Sequence, residues 1–433
     1  PAYFCAAAGE FERLAVDKVS SGHYNREELS EQEPENPANR RKEANAMIDI
    51  PISSAIRYVG VDDTAIDLFE SQYLVPHGVS YNSYVILDEK IAVMDTVDRR
   101  ATAQWLENLE QALAGRKPDY LVVQHLEPDH AGSLGVLAEK YPEMVLVGNA
   151  KTFGMLAKFF PGDWAGRSLT VQEGDTLSLG SHTLTFIMAP MVHWPEVMVS
   201  YESSEKILFS ADGFGKFGAL SVDEPWLCEA RRYYFNIVGK YGVQVQALLK
   251  KAAGLEIRTI CPLHGPVLRE DLGYYIGKYD LWSRYEPESE GVVIAYASIH
   301  GNTAQAACRM RELLEERGCP KVVVFDLSRA DQAEAVEDAF RYGRMVLMSP
   351  TYDGGLFPPM DHFLAHLRDK TYRNRKVAII ENGSWAPAAA KIMRGYLEAM
   401  KNIDICPTVH TIQGTVKDAD IAAMEQIAGE VLA

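Results

Sequence analysis

Short apolar runs separated by turns dominate the sequence between Ile52 and Pro287. Pairs of runs that flank a short polar segment are typical of β-hairpins. The clearest pairs are 81–87 with 91–94, 176–179 with 182–187, and 197–201 with 206–210. Longer stretches between them predict helices at 98–114, 132–141, 150–159, 226–252 and 269–285. Grouped strands with intervening helices predict two sheets that pack on each other and are covered by helices.

The pattern changes after Pro287, where continuous apolar strands alternate with helices. The predicted strands are 292–296, 322–325, 345–348, 376–380 and 409–412. Helices are predicted at 303–317 and 332–342, after the first two strands. Strands of this kind are buried on both faces of a parallel sheet. The pattern therefore predicts a doubly wound α/β domain whose ligand binds at the carboxyl ends of the strands.

The first part of the chain has a different composition. Within residues 1–48, the stretch 26–43 is rich in charged residues, carries Pro34 and Pro37, and has almost no large apolar side chains. Such a segment cannot bury enough apolar surface to offset the entropy of ordering. We therefore expect three parts: a polar extension of unassigned role at 1–48, a first domain at 49–287 and a second domain at 288–433.

Composition and charge limit the class of protein and the cellular compartment that the sequence is compatible with. The 433 residues include 43 Lys and Arg against 60 Asp and Glu, a formal charge of −17. This balance argues against a nucleic-acid-binding protein, because phosphate recognition needs clustered cations. No apolar run approaches the roughly 20 residues that span a bilayer, and no secretory signal pattern opens the chain. The six cysteines form no C-x-x-C pair, which argues against a disulfide framework and favours a reducing, cytoplasmic setting.

A cluster of metal-ligand residue types follows the apolar segment 120–124. The segment 125–130 reads His-Leu-Glu-Pro-Asp-His, with four potential ligands in six positions, and single candidates follow three later strands beside Gly or Pro. A lone loop histidine is more often hydrogen-bonded than metal-bound, but a cluster on one loop reverses that expectation. The predicted metal site comprises His125, Glu127, Asp129, His130, His193, Asp212 and His264.

Three polar loops follow strands of the second predicted domain. The first, 298–303, opens a helix, and hydroxyl and backbone N–H groups at a helix N-terminus suit one terminal phosphate. It resembles the flavodoxin phosphate loop [ST]-x-[TH]-G-N-T, with His300 in place of the commoner Thr. Within the second predicted domain, neither G-x-G-x-x-G nor a lysine-bearing phosphate loop occurs, which disfavours dinucleotides and nucleoside triphosphates as its ligand. Any one such loop could be an ordinary turn, but three in this order on one sheet favour flavin mononucleotide (FMN). The predicted flavin-site residues are Ser298, Ile299, His300, Gly301, Asn302, Thr303, Ser349, Pro350, Thr351, Tyr352, Asp353, Gly354, Asn382, Gly383, Ser384 and Trp385.

The two constellations together resemble a known family. The spacing H-x-[EH]-x-D-H followed by His, Asp and His resembles the metallo-β-lactamase fold, and Glu127 together with the segment 193–196 resembles the flavodiiron proteins. The resemblance implies an αββα sandwich followed by a flavodoxin-like parallel sheet. It also implies two iron ions per chain, the first held by His125, Glu127 and His193, the second by Asp129, His130 and His264, with Asp212 bridging both. It implies no catalytic residue beyond these ligands.

The resemblance further implies an oxidoreductase that reduces dioxygen to water, nitric oxide to nitrous oxide, or both. Electrons would pass through FMN from a separate donor such as rubredoxin, because the C-x-x-C pairs of a fused rubredoxin are absent from this sequence. Family members place one subunit's flavin beside the other's irons, so we expect a head-to-tail homodimer or a dimer of dimers.

One departure from the family pattern leaves the preferred substrate open. Many members carry a pocket histidine near the segment 69–73, where this chain offers Glu70. Groups around a metal centre tune proton delivery. With the pocket histidine replaced, the family resemblance does not indicate whether dioxygen or nitric oxide is the preferred substrate. Tyr81 and Tyr201 are possible proton donors, although packing in a strand is the better interpretation of both.

Two alternatives remain at this level. One is a zinc-dependent hydrolase of the metallo-β-lactamase fold with a flavodoxin-like regulatory domain, against which Glu127 and the flavin loops both count. The other is a non-catalytic electron carrier or redox sensor with a vestigial metal site. That interpretation requires at least one ligand residue to be missing, but all seven ligand positions carry a residue that can bind a metal.

Overall fold

The computed structural model describes residues 50–162 and 164–433. The predicted polar extension at 1–48 lies outside the described residues. Within the described ranges, no helix combines the length and the apolar character needed to cross a bilayer. The five cysteines there are free thiols.

Among the described residues, ten strands form the first part of the fold. They are β1 (Ile56–Tyr58), β2 (Val61–Asp63), β3 (Leu68–Phe69), β4 (Tyr73–Leu74), β5 (Val79–Tyr81), β6 (Tyr84–Leu87), β7 (Ile91–Met94), β8 (Tyr120–Val122), β9 (Val145–Gly148) and β10 (Ser168–Thr170). Six of them make sheet I, in the order β1-β6-β7-β8-β9-β10. The pairs from β1 to β7 are antiparallel and those from β7 to β10 are parallel. The other four form two small ribbons, β2 with β5 and β3 with β4.

Five further strands make sheet II, in chain order. They are β11 (Thr176–Ser178), β12 (Thr183–Met188), β13 (Met198–Glu202), β14 (Ile207–Phe209) and β15 (Thr259–Cys261). The predicted hairpins appear here as the antiparallel pairs β11 with β12 and β13 with β14. The last strand joins β14 in parallel, because the intervening helices return the chain to the same end of the sheet.

In the part of the chain that the structure describes, seven helices accompany these two sheets. They are α1 (Thr102–Leu113), α2 (Pro128–Ala131), α3 (Leu134–Lys140), α4 (Ala150–Phe159), α5 (Trp226–Tyr233), α6 (Gly242–Ala252) and α7 (Leu272–Ser283). Short 3-10 turns lie at Arg99–Ala101 and Ala165–Arg167. A π-helical segment, Tyr234–Val238, and a 3-10 turn, Gly239–Tyr241, separate α5 from α6.

The two sheets face each other across an apolar layer. Tyr84 and Ile86 of β6 belong to the same buried cluster as Phe186 of β12 and Phe209 of β14. The alternate residues of sheet I, such as Val85, point to the other face and join a cluster that includes α1. Because successive side chains of a strand alternate between faces, both faces of the central strands are buried. The arrangement is an αββα sandwich.

The remaining strands and helices form sheet III and its two covering layers. The strands are β16 (Ser289–Tyr296), β17 (Val322–Asp326), β18 (Tyr342–Tyr352), β19 (Gly355–Leu356), β20 (Arg373–Asn382) and β21 (Lys401–Ile412). The helices are α8 (Asn302–Glu316), α9 (Gln332–Arg341), α10 (Pro358–Asp369), α11 (Ala389–Glu398) and α12 (Asp418–Leu432). The main strands are parallel in the order β17-β16-β18-β20-β21, with β19 antiparallel to the end of β18. This is the 2-1-3-4-5 order of flavodoxin-like sheets.

The sandwich and sheet III share buried contacts. The rings of Phe235 and Phe340 stack with centroids 4.3 Å apart and an interplanar angle of 10°. Arg231 on α5 donates two hydrogen bonds, of 2.8 and 2.9 Å, to Glu288 and also pairs with Glu337 on α9. Arg375 is buried, and its guanidinium donates to the carbonyl oxygen of Tyr285 at 2.6 Å.

Two predicted elements differ in the structure. The strand predicted at 81–87 is divided, because Asn82 leaves the ladder and its side-chain N–H₂ donates to the carbonyl oxygens of Pro262 and Gly265, each at 2.8 Å. The stretch predicted to be helical at 226–252 is helical throughout, but a π-helical segment and a 3-10 turn interrupt the α-helix between α5 and α6. Periodicity does not detect this change of helix type, because the apolar pattern continues through it.

Candidate metal centre and flavin loops

Sheet I supplies four of the seven predicted ligands from one loop. The chain leaves β8 at Val122, and α2 begins at Pro128, so Asp129 and His130 lie in its first turn. Proline at the first helical position has the backbone angle that a helix requires and no N–H to satisfy. The carbonyl oxygen of His130 accepts hydrogen bonds from the backbone N–H and the hydroxyl of Thr96, at 2.8 and 2.7 Å. The loop is therefore fixed against the end of β7.

Sheet II supplies the other three ligands from the ends of different strands. His193 follows β12, Asp212 follows β14 and His264 follows β15. The backbone N–H of Leu263 donates to the carbonyl oxygen of Ala211 at 2.9 Å, which holds two of these loops side by side. All seven side chains therefore meet at one end of the sandwich.

The donor atoms fall into two groups. In the first group, His193 Nε2 lies 3.0 Å from both Glu127 Oε2 and Asp212 Oδ2. His125 Nε2 lies 3.1 Å from the same Glu127 oxygen and 3.2 Å from the same Asp212 oxygen. Bonds of about 2.0–2.2 Å to one cation, at roughly right angles, place donor atoms about 3 Å apart. The first group has this spacing.

The second group comprises Asp129, His130 and His264. Asp129 Oδ2 lies 3.2 Å from the Nε2 atoms of both histidines. The other oxygen of Asp212, Oδ1, lies 3.1 Å from His130 Nε2 and 3.9 Å from His264 Nε2. Asp212 thus directs one carboxylate oxygen to each group, which is the geometry of a bridging ligand.

Several of these donors are buried and lack a partner. Both carboxylate oxygens of Asp129 and of Asp212, and Nε2 of His130 and His264, have no hydrogen-bond partner within the described part of the chain. Buried polar atoms are normally hydrogen-bonded, and close approach without hydrogen-bond geometry is how ligands converge on a cation. The residues present therefore fit a pair of metal ions.

The electrostatics of the site also favour cations. Although burial lowers it, contacts with Asp212 and Glu127 raise the pKa of His193 to about 9. Burial would raise the pKa of Asp212, but His130 and His125 hold it well below the usual value. The carboxylates that favour an imidazolium equally favour a metal ion, which competes with the proton for the same nitrogen.

Residues around the ligands fix their orientation. Glu196 is fully buried, and its Oε1 accepts the Nδ1–H of His125 at 2.9 Å. His264 donates its Nδ1–H to the carbonyl oxygen of Ser80 at 2.7 Å. The buried carboxylate of Asp95 accepts from the backbone N–H of His125 at 3.2 Å. In each histidine the Nε2 lone pair is left to face the centre, as the proton sits on the other nitrogen.

Sequence patterns alone assign no role to these supporting residues. Glu196 lies in the segment 193–196, whose composition contributed to the family resemblance, but a buried carboxylate cannot be distinguished from an exposed one in sequence. Asp95 follows directly after β7, and an acidic residue at a strand end is a detectable, though weak, signal. The contact of Asn82 with the His264 loop joins residues about 180 positions apart, and has no local signal.

The two tyrosines considered from sequence occupy different positions. Tyr81 is buried, its ring centroid lies 6.0 Å from that of His264, and its hydroxyl oxygen accepts from Arg100 at 2.9 Å. Tyr201 donates its hydroxyl to the carbonyl oxygen of Glu256 at 2.7 Å, a structural contact. Glu70 lies on an exposed loop in a left-handed backbone conformation. Although much of the residue is exposed, its carboxyl group is partly desolvated beside the ligand loop, and this desolvation together with the nearby charge of Glu127 raises the pKa of Glu70.

The three predicted flavin loops lie at one edge of sheet III. They lie at and just beyond the carboxyl ends of β16, β18 and β20, which are neighbours in the sheet. Ser298 Oγ accepts from the backbone N–H groups of Gly301 and Ala304, at 3.1 and 3.3 Å, and shapes the first loop. Gly301 has φ of 88°, a conformation that glycine adopts without strain. Thr351 Oγ1 accepts from the N–H of Ala388 at 2.9 Å and joins the other two loops.

The members of the predicted flavin set differ in exposure. Thr303, Ser349, Pro350 and Asn382 are buried and belong to the supporting framework. The exposed members are Ile299, His300, Gly301, Tyr352, Asp353, Gly354, Ser384 and Trp385. Trp385 is 78% exposed and Tyr352 is 43% exposed, so two large aromatic rings stand at the same edge.

Comparison with known sequences finds relatives that extend over most of the chain. A family model described as ODP family beta lactamase matches residues 79–265. The rubredoxin-oxygen oxidoreductase of Megalodesulfovibrio gigas is 29% identical over 389 residues, covering 87% of this chain and 96% of that protein. The nitric oxide reductase of Moorella thermoacetica is 29% identical over 394 residues, covering 89% and 98%. An uncharacterised protein of Methanocaldococcus jannaschii is 30% identical over 325 residues, covering 73% and 81%.

Solved structures agree with the sequence comparisons. The rubredoxin oxygen:oxidoreductase from Desulfovibrio gigas superposes with a TM-score of 0.84 at 28% identity, covering 89% of this chain and 98% of that one. The flavodiiron protein from Giardia intestinalis gives a TM-score of 0.83 at 26% identity, covering 89% and 97%. These matches confirm the predicted fold class, a metallo-β-lactamase-like sandwich followed by a flavodoxin-like sheet. The chain belongs to the flavodiiron protein family.

Proposed function

We propose that this protein reduces dioxygen to water, nitric oxide to nitrous oxide, or both, at a pair of iron ions that receive electrons through FMN. The observation that carries the proposal is the position of Asp212, whose two oxygens each approach a separate group of metal-ligand side chains. A two-ion centre of this kind suits a diatomic substrate, because each ion can bind one of its atoms. The names of two relatives, a rubredoxin-oxygen oxidoreductase and a nitric oxide reductase, support the reaction class.

The ligand set supports iron over zinc. In the proposed assignment, His125, Glu127 and His193 hold one ion, Asp129, His130 and His264 hold the other, and Asp212 bridges them. Each ion then has a carboxylate of its own in addition to the shared one. Hard anionic oxygen ligands stabilise the ferric state, which an iron site in redox chemistry must reach. When bound, the iron ions would supply the electron transfer and the open coordination positions.

The protein's own contribution is to orient these ligands and to keep them dry. Glu196 fixes the ring orientation of His125, and the Ser80 carbonyl fixes that of His264. The Nε2 atoms of both histidines are therefore already oriented toward the proposed ion positions. His125, His130 and Asp212 are almost fully buried. Exclusion of water strengthens the electrostatic interactions within the site and prevents side reactions.

In the second half of the chain, we propose that the three loops at the edge of sheet III bind FMN. The backbone N–H groups at the start of α8 would receive the phosphate, with the hydroxyl of Ser298 holding the loop in shape. Tyr352 and Trp385 would stack against the isoalloxazine ring, since both present exposed aromatic faces there. On this proposal, the 49–287 domain carries the metal centre and the 288–433 domain carries the flavin.

The partners follow from the same chemistry. We propose a rubredoxin-type protein as the electron donor, which the printed name of one relative supports. We also propose a head-to-tail homodimer, alone or paired into a tetramer, in which one subunit's flavin lies beside the metal centre of the other. The scattered free cysteines favour a reducing, cytoplasmic setting.

Metal analysis and activity of an Asp212→Ala variant test the proposal. The wild-type protein should contain about two iron ions and one FMN per chain and consume dioxygen or nitric oxide when supplied with reductant. The variant should lose both iron and turnover while retaining FMN, because the flavin loops are untouched. Iron content and turnover that survive the substitution would refute the proposal. A colourless, zinc-loaded protein that hydrolyses esters, lactams or phosphodiesters would instead establish the hydrolase alternative.

A further inference from the structure

An apolar cavity of about 230 Å³ lies behind the metal centre. Its walls are formed by the outer face of sheet II and by the helices α6 and α7. The outer end is lined by the half-buried side chains of Ala252, Leu255, Ile257 and Ile276. The inner end is buried, so the cavity runs from near the surface toward the interior of the sandwich.

The inner end of the cavity adjoins the metal-ligand loops. It is lined by Val192 and Gly213, and these residues directly precede His193 and follow Asp212 in the chain. Each is buried. The cavity therefore reaches the backbone of two loops whose side chains face the metal centre, one of them the loop of the bridging carboxylate.

The polar atoms of the cavity wall are already engaged. Ser210 donates its hydroxyl to the carbonyl oxygen of Gly213 at 2.7 Å, and the hydroxyl oxygen of Tyr279 accepts from the N–H of Phe214 at 2.6 Å. The other side chains that line it among the described residues are aliphatic or aromatic, apart from the single glycine. A cavity without free polar groups does not hold ordered water, and cavities of about 150 Å³ with such walls bind apolar molecules and xenon.

We propose that this cavity is a binding site for small apolar gases and delivers dioxygen or nitric oxide to the metal centre. The inference rests on the proposed function, which identifies these gases as substrates. Both are diatomic, weakly hydrated and smaller than the cavity, so transfer from water into it is favourable for the same reason that apolar surface is buried in folding. A gas held there would lie against the loops that carry His193 and Asp212.

Xenon is the probe for the cavity, because it binds apolar cavities irrespective of catalysis. In the purified holoprotein, crystals pressurised with xenon should show the atom among the side chains of Val192, Leu208 and Val245. Ala252→Phe fills the outer end from α6, and Ile257→Trp does so from the loop between α6 and β15. Val243→Phe serves as the matched control, because Val243 is 72% exposed and lies on the opposite face of α6.

The expected result is loss of bound xenon in both filling variants, with a several-fold rise in KM for the gas and an unchanged kcat. Association of nitric oxide with the fully reduced protein, followed by stopped-flow absorbance, should slow by the same factor. Two filling variants are used so that a folding defect in one of them cannot explain the result. The Val243→Phe control should have the same xenon binding, KM and association rate as the wild type. Absence of xenon from the wild-type cavity overturns the proposal, as does an unchanged association rate in variants that exclude xenon. If the protein turns over neither gas, the proposed function fails, while the xenon and association measurements still decide the role of the cavity.

Discussion

At the residue scale, Glu196 determines which nitrogen of His125 faces the metal centre. It is buried and accepts the Nδ1–H of His125 and the backbone N–H of Leu126, each at 2.9 Å. We predict that Glu196→Gln lowers the metal affinity of the site by roughly 10–100-fold, because the ring loses its charged partner. Iron content after equilibration with graded concentrations of a chelator measures the effect.

The matched control for this experiment is Glu202→Gln. Glu202 is equally buried, but its carboxylate accepts from the backbone N–H groups of Ser204 and Glu205 at the far end of β13. This variant should retain wild-type metal affinity. Equal affinities of the Glu196 variant and the wild type would contradict the orienting role.

The same residues mark the limit of prediction from sequence. The seven ligand candidates could be found because each follows an apolar strand, and strand ends of one sandwich converge at a common edge. Glu196 and Asp95 could not be assigned a role, since their function depends on burial and on a hydrogen bond between strands. Asn82 was placed inside a predicted strand, whereas its side chain binds two carbonyl groups of the His264 loop.

At the element scale, the segment that joins α7 to β16 depends on one buried carboxylate. Glu288 accepts hydrogen bonds from Arg231, from Trp282 Nε1 at 2.7 Å and from Lys278 Nζ at 3.0 Å. Although burial opposes it, these contacts lower the pKa of Glu288 to about 2. A carboxyl whose pKa is depressed on folding stabilises the protein above its unfolded pKa, about 4.3, and that contribution is lost as the pH falls toward 2.

We therefore predict a pH-dependent effect of Glu288→Gln. At pH 7 the variant should have a free energy of unfolding lower by on the order of 3 kcal/mol, and the difference should shrink progressively between pH 5 and pH 3. Urea unfolding of both proteins across this range measures it. Glu286→Gln is the control, because Glu286 is about half exposed. A difference that stays constant with pH would show that the charge of Glu288 is not responsible.

The first flavin loop depends on a hydroxyl at the start of α8. We predict that Ser298→Ala weakens FMN binding by roughly 3–10-fold, because the N–H groups of Gly301 and Ala304 lose the acceptor that shapes the loop. Quenching of flavin fluorescence on titration of the apoprotein measures the affinity. Ser289→Ala, at the opposite end of β16, should bind FMN as the wild type does, and equal weakening in both variants would count against a local role of the loop.

Helices and strands were predicted correctly where the apolar residues keep a single period along the whole element. The parallel strands of sheet III and the hairpins of sheet II were found because their apolar pattern is continuous or alternating. The helical stretch predicted at 226–252 is present over the whole range, but it is not one α-helix, because the segment Tyr234–Val238 is π-helical and all of its residues are buried. Packing between the two halves of the molecule fixes the conformation of this segment. The local sequence pattern contains no information about such long-range packing.

At the scale of the whole molecule, the proposed head-to-tail dimer predicts complementation between two inactive chains. Asp212→Ala removes the proposed bridging ligand, and Gly301→Asp places a negative charge where the phosphate would bind. Each homodimer should be inactive. Co-expressed chains should regain turnover, because one flavin then meets the intact metal centre of the other subunit.

Gas consumption by separately tagged, co-purified chains measures this recovery. The control is a mixture of the two purified homodimers under conditions without subunit exchange, which should remain inactive. Failure to recover activity in a verified heterodimer would mean that electrons do not pass between subunits.

The stacked rings of Phe235 and Phe340, with Arg231 and Arg375 beside them, also bear on how this molecule can be rebuilt. The ring of Phe340 and the guanidinium of Arg375 are buried where the sandwich meets sheet III. The two halves are therefore not interchangeable modules. A chimaera that joins the first half of this chain to the second half of a relative must therefore keep the contact residues of both halves together. A mismatched side chain at this contact would leave either a cavity or an unpaired buried charge.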